Sequence, residues 1–354
     1  LPTRAQRLAV WLRTPRGLAL AVWAVAFGGY VVAQGIPLDR QPQTLWILLA
    51  LFASNVGRPW RSQLRILLDW LPFVGFLYLY DYTRGIADTL GRPVHVTQPL
   101  AAERWLFHGA VPSQFLQQRF HGIDHKQWFD IAAGLVYSSH FLVVWIVAAV
   151  LYVRSREEWA RWARRILLLS YAGLVTYVLY PAAPPWYAAR QGLIAGVDQG
   201  QFVFSNLLDT IGLRFSGALI SGGAPQVNAV AALPSLHAAF TAMLTAYVWP
   251  RMRWWGRALM VLYTLAMAAS LVYGGEHYVV DVLVGYAYVV VVLVTANRWE
   301  HWRSQRRAAV PTRIDLPVDA ELVGRAEASP AALAGIAERG SQPLETEPVE
   351  ARVV

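Results

Sequence analysis

The sequence contains no cysteine, and only one of its 31 basic residues, Lys126, is a lysine. Without cysteine, disulfides, thiolate nucleophiles and cysteine-ligated metals are excluded, and redox compartment leaves no mark on the chain. Charge is also scarce: Asp, Glu, Lys and Arg make up 15% of the 354 residues, where soluble domains carry about 25%. No dinucleotide-binding or P-loop glycine pattern occurs, and no tandem repeat. What fills the chain is apolar, at 56% of residues with positive mean hydropathy. Sixteen tryptophans and sixteen tyrosines suit a protein with two membrane–water interfaces. The expected class is therefore an all-α polytopic membrane bundle. A net charge of +9 could point to nucleic acid, but the arginines flank apolar segments instead of forming a face, so no nucleic-acid partner is expected.

A bilayer span takes about 20 apolar residues, with a range of roughly 17–25. Candidate helices cover 17–36, 43–57, 64–82, 130–153, 165–181, 235–249, 257–274 and 277–297, the second and sixth being short. The first run is too long for a leader core and is expected to be retained. With the N-terminus inside, one face receives Arg58, Arg61 and Arg65, then the arginines from 154 to 165, then Arg251, Arg253 and Arg257, and finally those from 298 to 307. Eight spans with both termini cytoplasmic satisfy the positive-inside rule at each short loop. Residues 1–63 read as an N-terminal helix pair, 64–299 as a catalytic membrane domain with a six-helix core, and 300–354 as a disordered cytoplasmic tail. Residues 83–129 form an outer connection with amphipathic stretches, expected to lie on the membrane surface.

Two motifs carry the candidate chemistry: Leu233-Pro234-Ser235-Leu236-His237 and Glu276-His277-Tyr278-Val279-Val280-Asp281. The topology puts both at the extracytoplasmic surface. His277 and Asp281 are four apart, so a helix there sets them on one face. A carboxylate beside one ring nitrogen fixes the tautomer and frees the other nitrogen as nucleophile or base. The blander reading is a polar pair capping an interfacial helix. Pro234 fits a helix's first turn, and the amides behind it, with the Ser235 hydroxyl, would face a phosphate. A protonated His237 would supply a proton to a leaving oxygen. Imidazole, imidazole and carboxylate at one membrane surface are parts for attack on a lipid phosphate ester.

These motifs resemble the type 2 phosphatidic acid phosphatase superfamily. The closer likeness is to its inositol phosphorylceramide synthase branch, including actinobacterial-type members. Tyr180-Pro181-Ala182-Ala183-Pro184-Pro185-Trp186-Tyr187 is similar to that branch's proline-rich motif, and Tyr80-Asp81-Tyr82-Thr83-Arg84-Gly85 to its stretch at the end of helix three. The resemblance implies a metal-independent, cofactor-free transfer in two steps. His277 attacks phosphorus to form a phosphohistidine, Asp281 orients it, and His237 protonates the leaving alkoxide and later activates the acceptor. The implied substrate is a phospholipid or other lipid phosphate. Transfer to an alcohol such as inositol or another polyol gives a transferase, and water as acceptor gives a phosphatase.

The sequence departs from the phosphatase branch at two points. Leu271 stands where that branch has arginine after serine, here Ser270, and Pro-Ser-Gly-His has become Pro-Ser-Leu-His. Both changes lean toward the synthase-like branch. The phosphate clamp then falls to Arg84, which could instead pair with Asp81, and more loosely to Arg92. Asp81, Trp186, Tyr187 and Asn228 are candidate substrate contacts. The two aromatics could also be interfacial anchors, and Asn228 a helix cap. His140 is either a packing group or a proton relay. Glu276 assists an acceptor hydroxyl or is solvated. His121 and His125 have a zinc-like spacing, but two loop ligands without cysteine make a poor site, so no metal is expected. A proton-coupled lipid transporter is the distant alternative.

Overall fold

The computed structural model describes residues 3–120, 128–198, 212, 215–216 and 230–308. Twelve α-helices lie among them: α1 Arg4–Leu12, α2 Pro15–Gln34, α3 Arg40–Ser54, α4 Trp60–Ile86, α5 Thr97–Leu106, α6 Pro112–Phe120, α7 Trp128–Arg154, α8 Arg156–Leu179, α9 Pro185–Arg190, α10 Leu236–Val248, α11 Trp254–Tyr273 and α12 Val279–Ala308. A short parallel pair joins β1, Ile36–Pro37, to β2, Phe215–Ser216. Local chemistry sets several of the helix starts. Thr14 accepts from the Gly17 amide at 3.0 Å ahead of Pro15 in the first turn of α2. Ser155 caps α8 through the Glu158 amide, with Glu157 and Glu158 in its first turn.

Each of the eight expected helices has a counterpart among α2, α3, α4, α7, α8, α10, α11 and α12. By length and apolarity, four qualify as membrane spans: Pro15–Gln34, Trp128–Arg154, Trp254–Tyr273 and Val279–Arg307. The others fall short for visible reasons. α3 and α10 have only 15 and 13 residues, while α4 and α8 are long but carry charges farther in, Arg65, Asp69 and Asp81 in α4 and Arg161, Arg164 and Arg165 in α8. Outward faces keep large apolar side chains exposed, such as Val25 at 76% and Val290 at 60%. Water would penalise such faces and lipid does not. The chain is an all-α, multi-pass membrane protein.

Residues Leu1–Arg298 form one compact unit and Trp299–Val354 a second. In the first, α2 packs on α3, α3 on α4 and α7, α4 on α8, and α10 on α7, α8 and α11. Trp70 and Trp162 are fully buried in its main apolar cluster, and Trp70 stacks on Trp145 and Trp159. In the second, residues 300–308 continue a helix where a tail was expected, because Arg303 and Arg306 lie over the rings of Trp299 and Trp302. Residues 309–354 lie outside the described residues. The connection 83–129, expected to carry amphipathic stretches on the membrane surface, is helical over much of its described part. It folds into α5 and α6, and Leu100 and Val111 pack with Ala188, Ile194, Val197 and Tyr278 as a third apolar cluster.

Candidate active site

Three extended stretches from distant parts of the chain form its frame. His95 bridges Ala182, and Ala182 bridges Ala231, all parallel. The His95 amide donates to Pro181, the Ala183 amide to His95, and the Ala232 amide to Ala182. His95 also stacks flat on Tyr180 at 3.9 Å. The Tyr180–Trp186 stretch is thus structural scaffolding, and its effect is to fix the Ala231–Ala232 backbone. Farther on, the Tyr177 hydroxyl donates to the Pro234 carbonyl at 2.7 Å, anchoring the approach to α10.

The fixed Ala232 carbonyl meets His277. The Nδ1 of His277 lies 3.0 Å from that oxygen, and its Nε2 lies 3.4 Å from Nδ1 of His237. A carbonyl only accepts, so Nδ1 of His277 carries the hydrogen, and Nε2 keeps its lone pair when the ring is neutral. The Asp281 carboxylate stands 3.7 Å from the same Nδ1. His277 is 3% exposed and Asp281 fully buried. The imidazole of His237, in the first turn of α10, and that of His277, just ahead of α12, therefore face each other through their ring nitrogens.

The start of α12 is held by two carboxylates. Asp281 reaches back to accept from the Tyr278 amide at 2.9 Å, as a residue at the third helical position does in a capping box. Glu103 of α5, fully buried, accepts from the Val279 and Val280 amides at 3.1 Å each. Three amide donors left open by the helix geometry are satisfied in this way. Burial pushes the Glu103 carboxyl above its ordinary value, against the two amide bonds that favour its ionised form. His277 precedes the helix instead of sharing a face with Asp281, because the capping turn begins at Tyr278. Gly275, at φ +67°, makes the turn before it. Helices α10 and α12 meet at Gly285, where a β-carbon would stand 2.5 Å from the Ser235 carbonyl.

The other sequence candidates divide. The Ser235 hydroxyl accepts from the Ala238 amide at 3.4 Å and is fully buried, so it caps α10 instead of facing a phosphate. Asp81 pairs with Arg40 at 2.5 and 2.8 Å, not with Arg84. Arg84 lines a cavity with Asp81 and His140. Arg92 is exposed on the strand-like stretch before α5 and does not line that cavity. Trp186 is buried beneath Arg190, at 4.7 Å, and its amide donates to Gly275; Tyr187 is half-buried beside it. The Trp186 amide thus supports the turn before His277, while its ring is buried and not an exposed interfacial anchor. Leu271 is fully buried in an apolar cluster, so no cation replaces the missing arginine there. The His140 ring lies 4.2 Å from that of His237. Glu276 is half-buried. Asn228, His121 and His125 lie outside the described residues. Among the described residues, no three His, Asp or Glu side chains gather as a metal-ligand set. Sequence reasoning missed Glu103, Arg40 and the Ala232 carbonyl. Only the first left a signal, as an isolated acid within an amphipathic stretch.

The PAP2 superfamily model matches residues 100–295. Over 260 residues the chain is 27% identical to a phosphoinositol dihydroceramide synthase of Bacteroides thetaiotaomicron, covering 70% of this chain and 80% of that protein. It is 26% identical over 257 residues to the inositol phosphorylceramide synthase catalytic subunit of Saccharomyces cerevisiae, covering 68% and 59% of the two chains. Against the corresponding subunit of Schizosaccharomyces pombe it is 25% identical over 205 residues, covering 54% and 45%. The chain thus spans less than two thirds of either yeast subunit's length. No solved structure matches the chain significantly.

Proposed function

The chain belongs to the PAP2 superfamily, and from that premise we propose that it is a membrane phosphotransferase that moves a phosphate-bearing headgroup between lipid and alcohol. The observation that carries this reading is the His277 ring, held by the Ala232 carbonyl at Nδ1 with Nε2 turned toward His237. In the first step Nε2 of His277 attacks phosphorus, a P–N bond forms, and the P–O bond to the leaving alcohol breaks. His237 delivers its proton to that oxygen. In the second step an acceptor hydroxyl gives its proton to His237 and attacks phosphorus, and the P–N bond breaks to restore His277. Asp281 steadies the positive charge on the His277 ring, and Arg84 faces the phosphate oxygens. Residues 64–299 hold His237 and His277, with 1–63 as an added N-terminal segment.

By analogy with the relatives' names, the headgroup is phosphoinositol and the acceptor a ceramide-type alcohol. The arginine bias between loops supports both termini in the cytoplasm and the histidines at the outer surface. The test is to incubate purified protein with labelled phosphatidylinositol, with and without a ceramide. Expected are a ceramide-dependent labelled lipid and an acid-labile phosphoenzyme, both lost in His277→Ala. His237→Ala should slow esters with poor leaving groups far more than activated ones. Label released only as a water-soluble phosphate would assign hydrolysis, and a phosphoenzyme persisting in His277→Ala would remove the nucleophile assignment.

A further inference from the structure

A cavity of about 390 Å³ lies between α3, α4, α7, α8 and α10, within the size range of small-molecule sites. Its position is telling, because one of its walls is His140, whose ring packs against His237. The lining is polar for the interior of a membrane bundle. Arg40 and Asp81 face it as a bidentate ion pair, each side chain about one-fifth exposed. Ser170 also lines it, 1% exposed, and its hydroxyl has no partner among the described residues. The Nδ1 of His140 is likewise buried there with no hydrogen bond among the described residues. Buried polar atoms are normally paired, and polar groups at membrane depth are usually functional. Both residues line the cavity, so a turn of either side chain brings its open atom to a ligand there.

We propose that this cavity is the subsite for the polyol headgroup, with the Arg40–Asp81 pair and Ser170 setting its selectivity. The inference rests on the phosphotransferase reading above and adds the place of the headgroup. Arg40 is neutralised by Asp81, so the pair is a poor second phosphate site, and its charges equally disfavour an acyl chain. A neutral ring dense in hydroxyls fits. Asp81 retains acceptor lone pairs, Arg40 retains donors beyond the two it uses, and Ser170 and His140 offer one open position each. Leu77, Val144 and Phe240 supply apolar surface for the C–H face of such a ring. Arg84 lines the same cavity and would bridge polyol and phosphate. The N-terminal helices would then be part of the site, since α3 contributes Arg40.

The test compares full-length wild type and Ser170→Ala on two lipids, phosphatidylinositol and headgroup-free phosphatidic acid. Expected is a loss of about tenfold or more in kcat/KM on phosphatidylinositol, with phosphatidic acid turnover held within about threefold. Equal losses on both lipids, or none on either, would overturn the subsite. A second arm titrates glycerophosphoinositol and glycerol 3-phosphate into His277→Ala. Tighter binding of the inositol compound, abolished by adding Ser170→Ala, supports the subsite even where the wild type turns over neither lipid, in which case the transferase reading alone fails. Equal binding of the two compounds overturns the subsite whatever the turnover.

Discussion

Nδ1 of His277 lies closer to the Ala232 carbonyl, at 3.0 Å, than to the Asp281 carboxylate, at 3.7 Å. The tautomer of His277 is thus set by backbone, and Asp281 acts on it mainly through charge and through the cap at Tyr278. Where a carboxylate alone holds the tautomer, replacing it by its amide costs about 10⁴ in kcat. Here Asp281→Asn should keep the ring in place and cost only about 10–100-fold. Single-turnover kinetics should show slower phosphoenzyme formation at unchanged stoichiometry. A loss near that of His277→Ala would mean that Asp281, not Ala232, selects the tautomer.

Gly285 lets α10 and α12 approach closely enough for His237 to meet His277, just ahead of α12. A methyl group there would sit 2.5 Å from the Ser235 carbonyl oxygen and 3.6 Å from the Ala239 β-carbon. Backbone cannot swing aside as a side chain can, so Gly285→Ala should separate the helices and cost about 1–3 kcal/mol. Activity should fall with it, since the ring-to-ring contact depends on that spacing. Gly75 is the control: it is helical, and a methyl group added there would meet nothing within 4 Å. Gly75→Ala should be neutral or stabilising, by up to about 1 kcal/mol. Thermal midpoints and turnover of the two variants decide the matter; similar midpoints would remove the close-approach account.

Much of the architecture was legible because apolar runs of span length have few other uses. The two histidine motifs were legible for a related reason, as ionisable residues at the mouths of such runs. Pairing across long stretches was not. Asp81 and Arg84 are three apart and suggest a local pair, yet the partner of Asp81 is Arg40, 41 positions earlier. Ser235 reads as a phosphate ligand, but a serine at a helix start also has an open first-turn amide to cap, and here it accepts from Ala238. The Ala232 carbonyl was beyond reach, since a backbone acceptor carries no side-chain signature. Its position depends on extended stretches around residues 95, 182 and 231 meeting in space.

Glu103 offers a test that depends on pH. Burial raises its carboxyl above the ordinary value of 4.5, the Val279 and Val280 amides pull it back, and Asp281 adds repulsion. A pKa raised on folding means that the folded state holds the proton more tightly than the unfolded chain. The stability tied to that proton is complete below the unfolded value and is lost as pH rises through the folded one. Glu103→Gln carries no titrating group, so subtracting its stability isolates the effect. The wild type's margin over Glu103→Gln should shrink as pH rises through the window just above 4.5 and then level off. Glutamine can accept only one of the two amides, so the first turn of α12 should loosen beside His277 and kcat should fall with KM little changed. Thermal midpoints from about pH 4 to about pH 8, with kinetics at each, check both halves. A stability difference independent of pH would show that the Glu103 carboxylate is not desolvated by α12, and an unchanged kcat would show that its cap does not position the nucleophile.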